Sequence, residues 1–193
     1  ARFASAAKFH LLAAGAAVAV IGKRLIDAAR DAEETRGKFK TTFRSVRGEA
    51  SRTAKELQRG FGLSGTQAKQ LLADTGDLLS GFGFTGKAAL DLSGKVNKLA
   101  VDLASFSNFS GGAEGASQAL TKALLGERES VKALGIAILE EDVNAKVLEM
   151  TQRGLTFETE RQAKAYATLE IAMSQSANAI GDFERTQDSL ANQ

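Results

Sequence analysis

The side chains that most often carry protein chemistry are scarce in this chain of 193 residues. His10 is the single histidine, and cysteine is absent. A multi-histidine metal site needs a second imidazole, and a thiol nucleophile or cysteine-based zinc site needs sulfur, so the sequence excludes both within this chain. His10 stands between Phe9 and Leu11 in an apolar run, where an imidazole serves packing or an interface more readily than catalysis. Carboxylates are plentiful, yet no pair stands out from solvated helix faces. There is no phosphate-cradling glycine loop, dinucleotide fingerprint or nucleophile elbow. An enzyme is the least supported class, and no catalytic residue, metal or cofactor is expected.

Charge is unevenly spread. Residues 1–60 carry 13 Lys/Arg against 6 Asp/Glu, an excess of +7, while residues 61–193 carry 12 against 17, a deficit of −5. A basic first third suits DNA, an anionic membrane, an acidic tube wall or simply a solvated helix flank, and charge alone does not choose among them. The chain opens on Ala1 with no leader and cleavage region evident, and reads as a section of something longer.

The elements that would position any functional surface are helical. From Ala4 to Val46 apolar and small residues recur at alternating steps of three and four: Ala4, Ala7, Leu11, Ala14, Val18, Ile21, Leu25, Ala28, Ala32, Thr35, Phe39, Thr42 and Val46. This heptad spacing predicts one long helix, which at about 1.5 Å per residue would reach roughly 70 Å over residues 1–46. Alanine and threonine bury little area each, so such a seam needs partners. Its larger residues, Leu11, Val18, Ile21, Leu25, Phe39 and Val46, are the expected contacts between sister copies, as a trimer or another ring-compatible oligomer, with the helix from 160 onward as an alternative partner. Inside it, residues 11–22 form an unbroken weakly apolar run containing Leu11, Leu12, Val18, Val20 and Ile21, with Lys23 and Arg24 just after it. A spanning helix needs about 20 apolar residues, so the run is short for a membrane and reads either as bundle core or as a membrane-active segment.

Beyond Gly60 the texture changes to shorter helices punctuated by glycine. Phe61-Gly62-Leu63-Ser64-Gly65 recurs 21 residues later as Phe82-Gly83-Phe84-Thr85-Gly86, each leading into a helical pattern. Ser64 and Thr85 are candidate N-caps, Ser64 with Gln67 as a capping box, and the aromatic ahead of each cap is placed like a hydrophobic staple. Helices are predicted near 65–79, with Leu71, Leu72, Leu78 and Leu79 inward, and near 86–106, with Leu90, Leu92, Val96, Leu99, Val101, Leu103 and Phe106 as its apolar residues. Further helices carry Leu120, Leu124 and Leu125 up to Gly126, Val131 and Leu134 up to Gly135, and Val143, Val147, Leu148 and Met150 up to Gly154. Gly126, Gly135 and Gly154 are therefore predicted helix ends. Thr159, with Gln162 after it, should start a helix that continues almost to the end. The fold class is all-α, in three parts: a long coiled-coil-like helix over 1–59, a helical hairpin or bundle module over 60–156, and a long carboxy-terminal helix over 157–193.

Four stretches resemble the core region of tail tape measure proteins of long-tailed bacteriophages: Phe61 to Leu79, Ala88 to Phe109, Ala119 to Ile138, and Ala179 to Gln193. They cover about half of the chain. The most specific is Leu124-Leu125-Gly126-Glu127 followed by Lys132-Ala133-Leu134-Gly135-Ile136, a pair of short helices split by glycine. The run into Leu103-Ala104-Ser105-Phe106 is nearly as characteristic. The resemblance implies a structural protein in several copies in the tail tube lumen or tail tip. It would set tail length during assembly, contact tail tube and tail tip proteins, leave ahead of the DNA and meet the host envelope after ejection. Because the part beyond residue 60 should fold back on itself, this section is expected to dock, plug or anchor rather than to act as the ruler. Two rivals stay open. A membrane-active helical protein is motivated by the 11–22 run and its basic flanks. A DNA-binding helical module is motivated by the basic first part, against which stand the interleaved acids Asp27, Asp31, Glu33 and Glu34 and the lack of a recognition helix with a paired scaffold helix.

Overall fold

A computed structural model describes residues 25–191, with side chains described through residue 186. Its elements are α1 over 25–42, α2 (Arg47–Gly60), α3 (Gly65–Gly81), α4 (Gly86–Phe106), α5 (Gly112–Leu124), a 3-10 helix (Arg128–Leu134), α6 (Glu140–Gln152), α7 (Glu160–Gln175) and α8 (Asp182–Ala191). The described residues form an all-helical fold without a strand. The residues upstream of Leu25, including seam positions Leu11, Val18 and Ile21, lie outside the described residues.

Helix α4 is the hub. It packs against α2, α3, α5 and α8, and residues from Ala89 to Leu103 are buried on nearly every face. Within that span only the Asp91, Lys95 and Lys98 stripe stays exposed, as for a helix set largely inside a bundle. Around it lie two hydrophobic clusters. The larger joins Leu79, Phe84, Leu92, Val96, Leu120, Val131, Val143 and Leu169 from α3 through α7. The smaller joins Phe39, Phe43, Leu57, Leu72 and Leu90, where α1 and α2 meet α3 and α4.

The seam helix does not run through Val46. It stops at Thr42, and residues 43–46 turn before α2 begins. Phe43, which stands off the three-four stripe, supplies the reason: it is fully buried, and its ring lies over Gly76 of α3, where an added Cβ would sit 2.5 Å from the Phe43 Cζ. Burying a phenylalanine is worth about 1.5–3 kcal/mol, more than the small residues of the stripe return in solvent. Phe39 packs edge-on against it with ring centroids 5.4 Å apart. Val46 becomes the half-buried residue preceding α2.

The carboxy-terminal helix is likewise two helices, not one. α7 ends at Gln175, and the chain turns through 176–181 before α8. Gly181 adopts φ 78° there. Its N–H donates to Asp102 Oδ2 at 2.9 Å, and the Phe183 N–H donates to Oδ1 at 3.4 Å. A buried carboxylate of α4 thereby accepts from the start of α8, which satisfies donors that a helix start leaves open. One inward expectation also fails: Leu78 is 48% exposed.

The links between helices share one device. After α3, α4, α5, the 3-10 helix and α6 a single residue takes positive φ: Gly83, Asn108, Gly126, Gly135 and Gly154. The next N–H then donates five residues back, as in Phe84 to Leu79, Glu127 to Lys122, Ile136 to Val131 and Leu155 to Met150. This left-handed stop satisfies terminal carbonyls, and after Gly83 and Gly135 it turns the next residue, Phe84 or Ile136, into the core. At the Ser64 start the capping box is complete: Gln67 N–H donates to Ser64 Oγ at 3.1 Å, and Ser64 N–H to Gln67 Oε1 at 3.0 Å. Thr85 starts α4 without a side-chain cap. Phe61 and Phe82 close the preceding helices as C-caps, leaving Leu63 and Phe84 in the staple positions.

Gly135 has φ 77° and nothing within 4 Å of an added Cβ, so an alanine there meets backbone strain without a clash. Gly135→Ala should lower stability in urea unfolding by about 1 kcal/mol. Gly60→Ala, at the exposed end of α2, should not. Equal midpoints for the two variants would contradict the left-handed stop.

Candidate functional site

No arrangement of reactive side chains presents itself among the described residues. No group of three or more His, Cys, Asp or Glu is placed to hold a metal. Groups with shifted protonation sit mostly in surface ion pairs. Asp74, hydrogen-bonded at 2.7 Å, raises the Lys38 pKa. Lys164, and Arg128 beside it, hold the Glu140 carboxyl below its usual range. Burial raises the Tyr166 hydroxyl, and the ring packs between Phe84 and Phe157 at 5.7 Å each. None of these pairs a base with a nucleophile in a cleft, which is what acid–base or covalent catalysis asks for.

The features that could bind something are apolar surfaces. The first is built where α2, α4 and α8 meet. Phe61 ends α2, and its ring centroid lies 5.9 Å from that of Phe183 on α8. Ser105 of α4 donates to Asp182 Oδ2 at 2.9 Å, adding to the Asp102 contacts that seat α8. On one side of the two rings a groove of about 360 Å³ is lined by Leu63, Val101, Ala104 and Ala113. A second groove of about 360 Å³, which touches Phe61 but not Phe183, is lined by Leu99, Met173 and Ile180 together with Lys98 and Glu184. Met173 and Ile180 are 38% and 43% exposed. Adjoining apolar surface of this kind marks an interaction face more often than a catalytic one.

The second is the start of α1. Lys38 ties this helix to α3 through Asp74 and, at 3.5 Å, Asp77. Toward the amino end the cover is lost: residues 28–31 are exposed, and Leu25 and Ile26 are 66% and 70% exposed.

The seam residues are thus divided. Leu11, Val18 and Ile21 lie outside the described residues, Leu25 is open to solvent, Phe39 is 5% exposed in the fold's own core, and Val46 is half-buried beside the same cluster. The membrane-segment residues Leu11, Leu12, Val18, Val20, Ile21, Lys23 and Arg24 all lie outside the described residues, as does His10. No helix among those described is long and apolar enough to cross a membrane. Gly126, Gly135 and Gly154 have φ of 109°, 77° and 87° at the ends of α5, the 3-10 helix and α6. Sequence reasoning missed Phe183 and its groove. The one available signal was Gly181, whose left-handed turn separates α8 from α7.

If Asp102 holds α8 in place, Asp102→Ala should expose the start of that helix. Losing a capping acceptor costs about 1 kcal/mol, which corresponds to roughly fivefold faster amide exchange in the segment it caps. Exchange over 182–191 should accelerate while α3 and α5 keep their protection. Unchanged exchange in α8 would contradict the anchoring.

Comparison with protein-family models, curated proteins and solved structures finds no match.

Proposed function

We propose that this chain is a structural section of a phage tail tape measure protein, one that docks or anchors within the tail rather than measuring its length. One observation supports the reading: the stretches that resemble that family fall largely on helices of one packed unit and on the links between them. Residues 61–79 supply the capped link and nearly all of α3, and 88–109 supply α4 with its left-handed stop. Residues 119–138 supply the end of α5, the 3-10 helix and the buried Ile136 and Ile138, and 179–193 begins with the turn into α8. A resemblance spread over connecting loops alone would have no such physical coherence.

The mechanism follows from the compactness of this unit. A ruler must convert residues into length, and a continuous helix does so at about 1.5 Å per residue. Here α3 to α7 share one core, so added residues thicken the body rather than extend it. The body is suited to hold position at one end of the tube, with α1 leading out of it toward sister copies. Contacts with tube and tip proteins then fall to the apolar grooves beside Phe61 and Phe183. Release ahead of the DNA requires only that these surface contacts part, with no covalent step.

Antibody labelling of negatively stained particles that carry this chain tests the reading. Label confined to the tail supports it, and label absent from tails contradicts it. In-frame removal of residues 61–186 should leave tails at full length or unassembled. Tails shortened by about 1.5 Å per deleted residue would instead assign the section to the ruler.

A further inference from the structure

The cations and the acids of α2 lie on different sides of the helix. Residues 43–60 carry five Lys/Arg, namely Arg44, Arg47, Arg52, Lys55 and Arg59, against two acids, Glu49 and Glu56. Both acids are taken up by α4, where Lys87 reaches Glu49 at 3.5 Å and Lys98 reaches Glu56 at 3.4 Å. None of the five cations is in an ion pair among the described residues. At about 100° of turn per residue, Arg52, Lys55 and Arg59 fall within one arc of roughly 60°, on the side away from the buried Ala50, Ala54 and Leu57. All three are exposed, and at about 1.5 Å per residue they span about 10 Å of the axis.

We infer that this outer face of α2 binds the phosphate backbone of a nucleic-acid duplex without reading its sequence. The sign of the charge admits any anion, and the makeup of the face selects among them. A helix lying in a lipid interface needs apolar residues beside its cations, and a protein partner needs a buried apolar or aromatic anchor. The face offers neither. Beside the three cations stand Gly48, Ser51 and Gln58, while the apolar side chains of the helix are turned into the core. Single strands are held by stacking on aromatic rings, which the face also lacks. A duplex asks for less, because its phosphates stand outermost. They recur at about 3.4 Å of axis on each strand, so three cations over about 10 Å match a short run of one strand. Two of the three are arginine, whose planar fork donates paired hydrogen bonds to phosphate oxygens.

The features that count against a base-reading DNA module do not bear on this face. The interleaved acids belong to α1, where Asp31 and Glu34 border a cleft with Gln70 and Asp74 of α3. A recognition helix serves to read bases, not to hold phosphates. Lys87 and Lys98 contribute from a distance: by engaging Glu49 and Glu56 they offset the negative charge that borders the stripe. The stripe is also distinct from the grooves to which the proposed function assigns docking, so one chain can hold a protein partner and a duplex by different surfaces.

Fluorescence anisotropy of the full chain with two duplex DNAs of unrelated sequence tests the inference. Equal affinity for the two is expected, falling steeply as salt is raised. Each phosphate contact contributes about 0.9 to the slope of log affinity against log salt. The combined variant Arg52→Gln, Lys55→Gln, Arg59→Gln should therefore flatten that slope by about 2–3, and weaken binding on the order of a hundredfold at about 0.15 M salt. Arg52→Lys with Arg59→Lys keeps the charge and should keep most of the affinity. Lys122→Gln, Lys132→Gln and Arg153→Gln together remove the same charge from other exposed positions, and should weaken binding by no more than about threefold. Four outcomes overturn the inference: no binding to either duplex, a preference for one sequence, a charge-matched control as weak as the stripe variant, or a stripe variant that loses anionic vesicles or polyglutamate instead of DNA. A chain that labels tails yet fails here would retain the proposed function and discard this surface.

Discussion

A buried amide left without partners costs about 1–3 kcal/mol, and Asn97 is fully buried where α3, α4 and α5 meet. Its Nδ2 donates to the Ser93 carbonyl at 2.9 Å, to the Leu71 carbonyl at 3.2 Å and toward Thr75 Oγ1 at 3.3 Å. Its Oδ1 accepts from Ser117 Oγ at 2.6 Å, and the Thr75 and Ser117 hydroxyls lie 3.2 Å apart. The small cluster therefore closes on itself across three helices. Apolar surfaces of Leu and Ala tolerate sliding by a turn, whereas these hydrogen bonds are made at one register. A shift of α3 or α5 along α4 would strand the amide in a dry interior.

The rest of the molecule is placed from that crossing. With α3 fixed, Gly76 stands where Phe43 can lie across it, and α1 ends there instead of continuing straight. With α4 fixed, Asp102 lies one turn beyond the cluster and receives the start of α8, and α8 in turn brings Phe183 to Phe61. A second polar clasp closes the far side. The Ala137 N–H donates to Gln175 Oε1 at 2.9 Å, and Gln175 Nε2 donates to the Ala137 carbonyl at 2.7 Å. One side chain of α7 thereby gives an extended residue the two bonds that a strand would have given. Flanking Ile136 and Ile138 stay buried.

Local rules carried the elements whose ends are chemically marked. The Ser64 capping box and the helix-end glycines 126, 135 and 154 can be read from residue types, because a backbone with positive φ selects glycine. Asn108, at φ 47°, does the same work with a less obvious residue. What could not be read was tertiary. Spacing predicted a seam through Val46 because periodicity counts the stripe, not the off-stripe Phe43 that outweighs it. It predicted α7 and α8 as one helix because the turn between them carries a single glycine, Gly181, at its end, and the acceptor that starts α8 lies on α4. The cluster around Asn97 was invisible for the same reason, since its members come from positions 71, 75, 93, 97 and 117. The grooves inherit this limit: Phe61 stood out in a repeat, but Phe183 acquires meaning only once Asp102 has placed α8.

If the Asn97 cluster sets the helix register, its members act as a unit rather than as separate contacts. A double-mutant cycle on Asn97→Ala and Ser117→Ala in urea unfolding tests this most directly. Neighbours within one buried hydrogen-bond network couple by about 0.5–3 kcal/mol, and a value near 1–2 kcal/mol is expected here, with the double variant losing less stability than the sum of the single losses. Single effects that add to within about 0.5 kcal/mol would contradict the account. In that case apolar packing alone would hold α3, α4 and α5 in place.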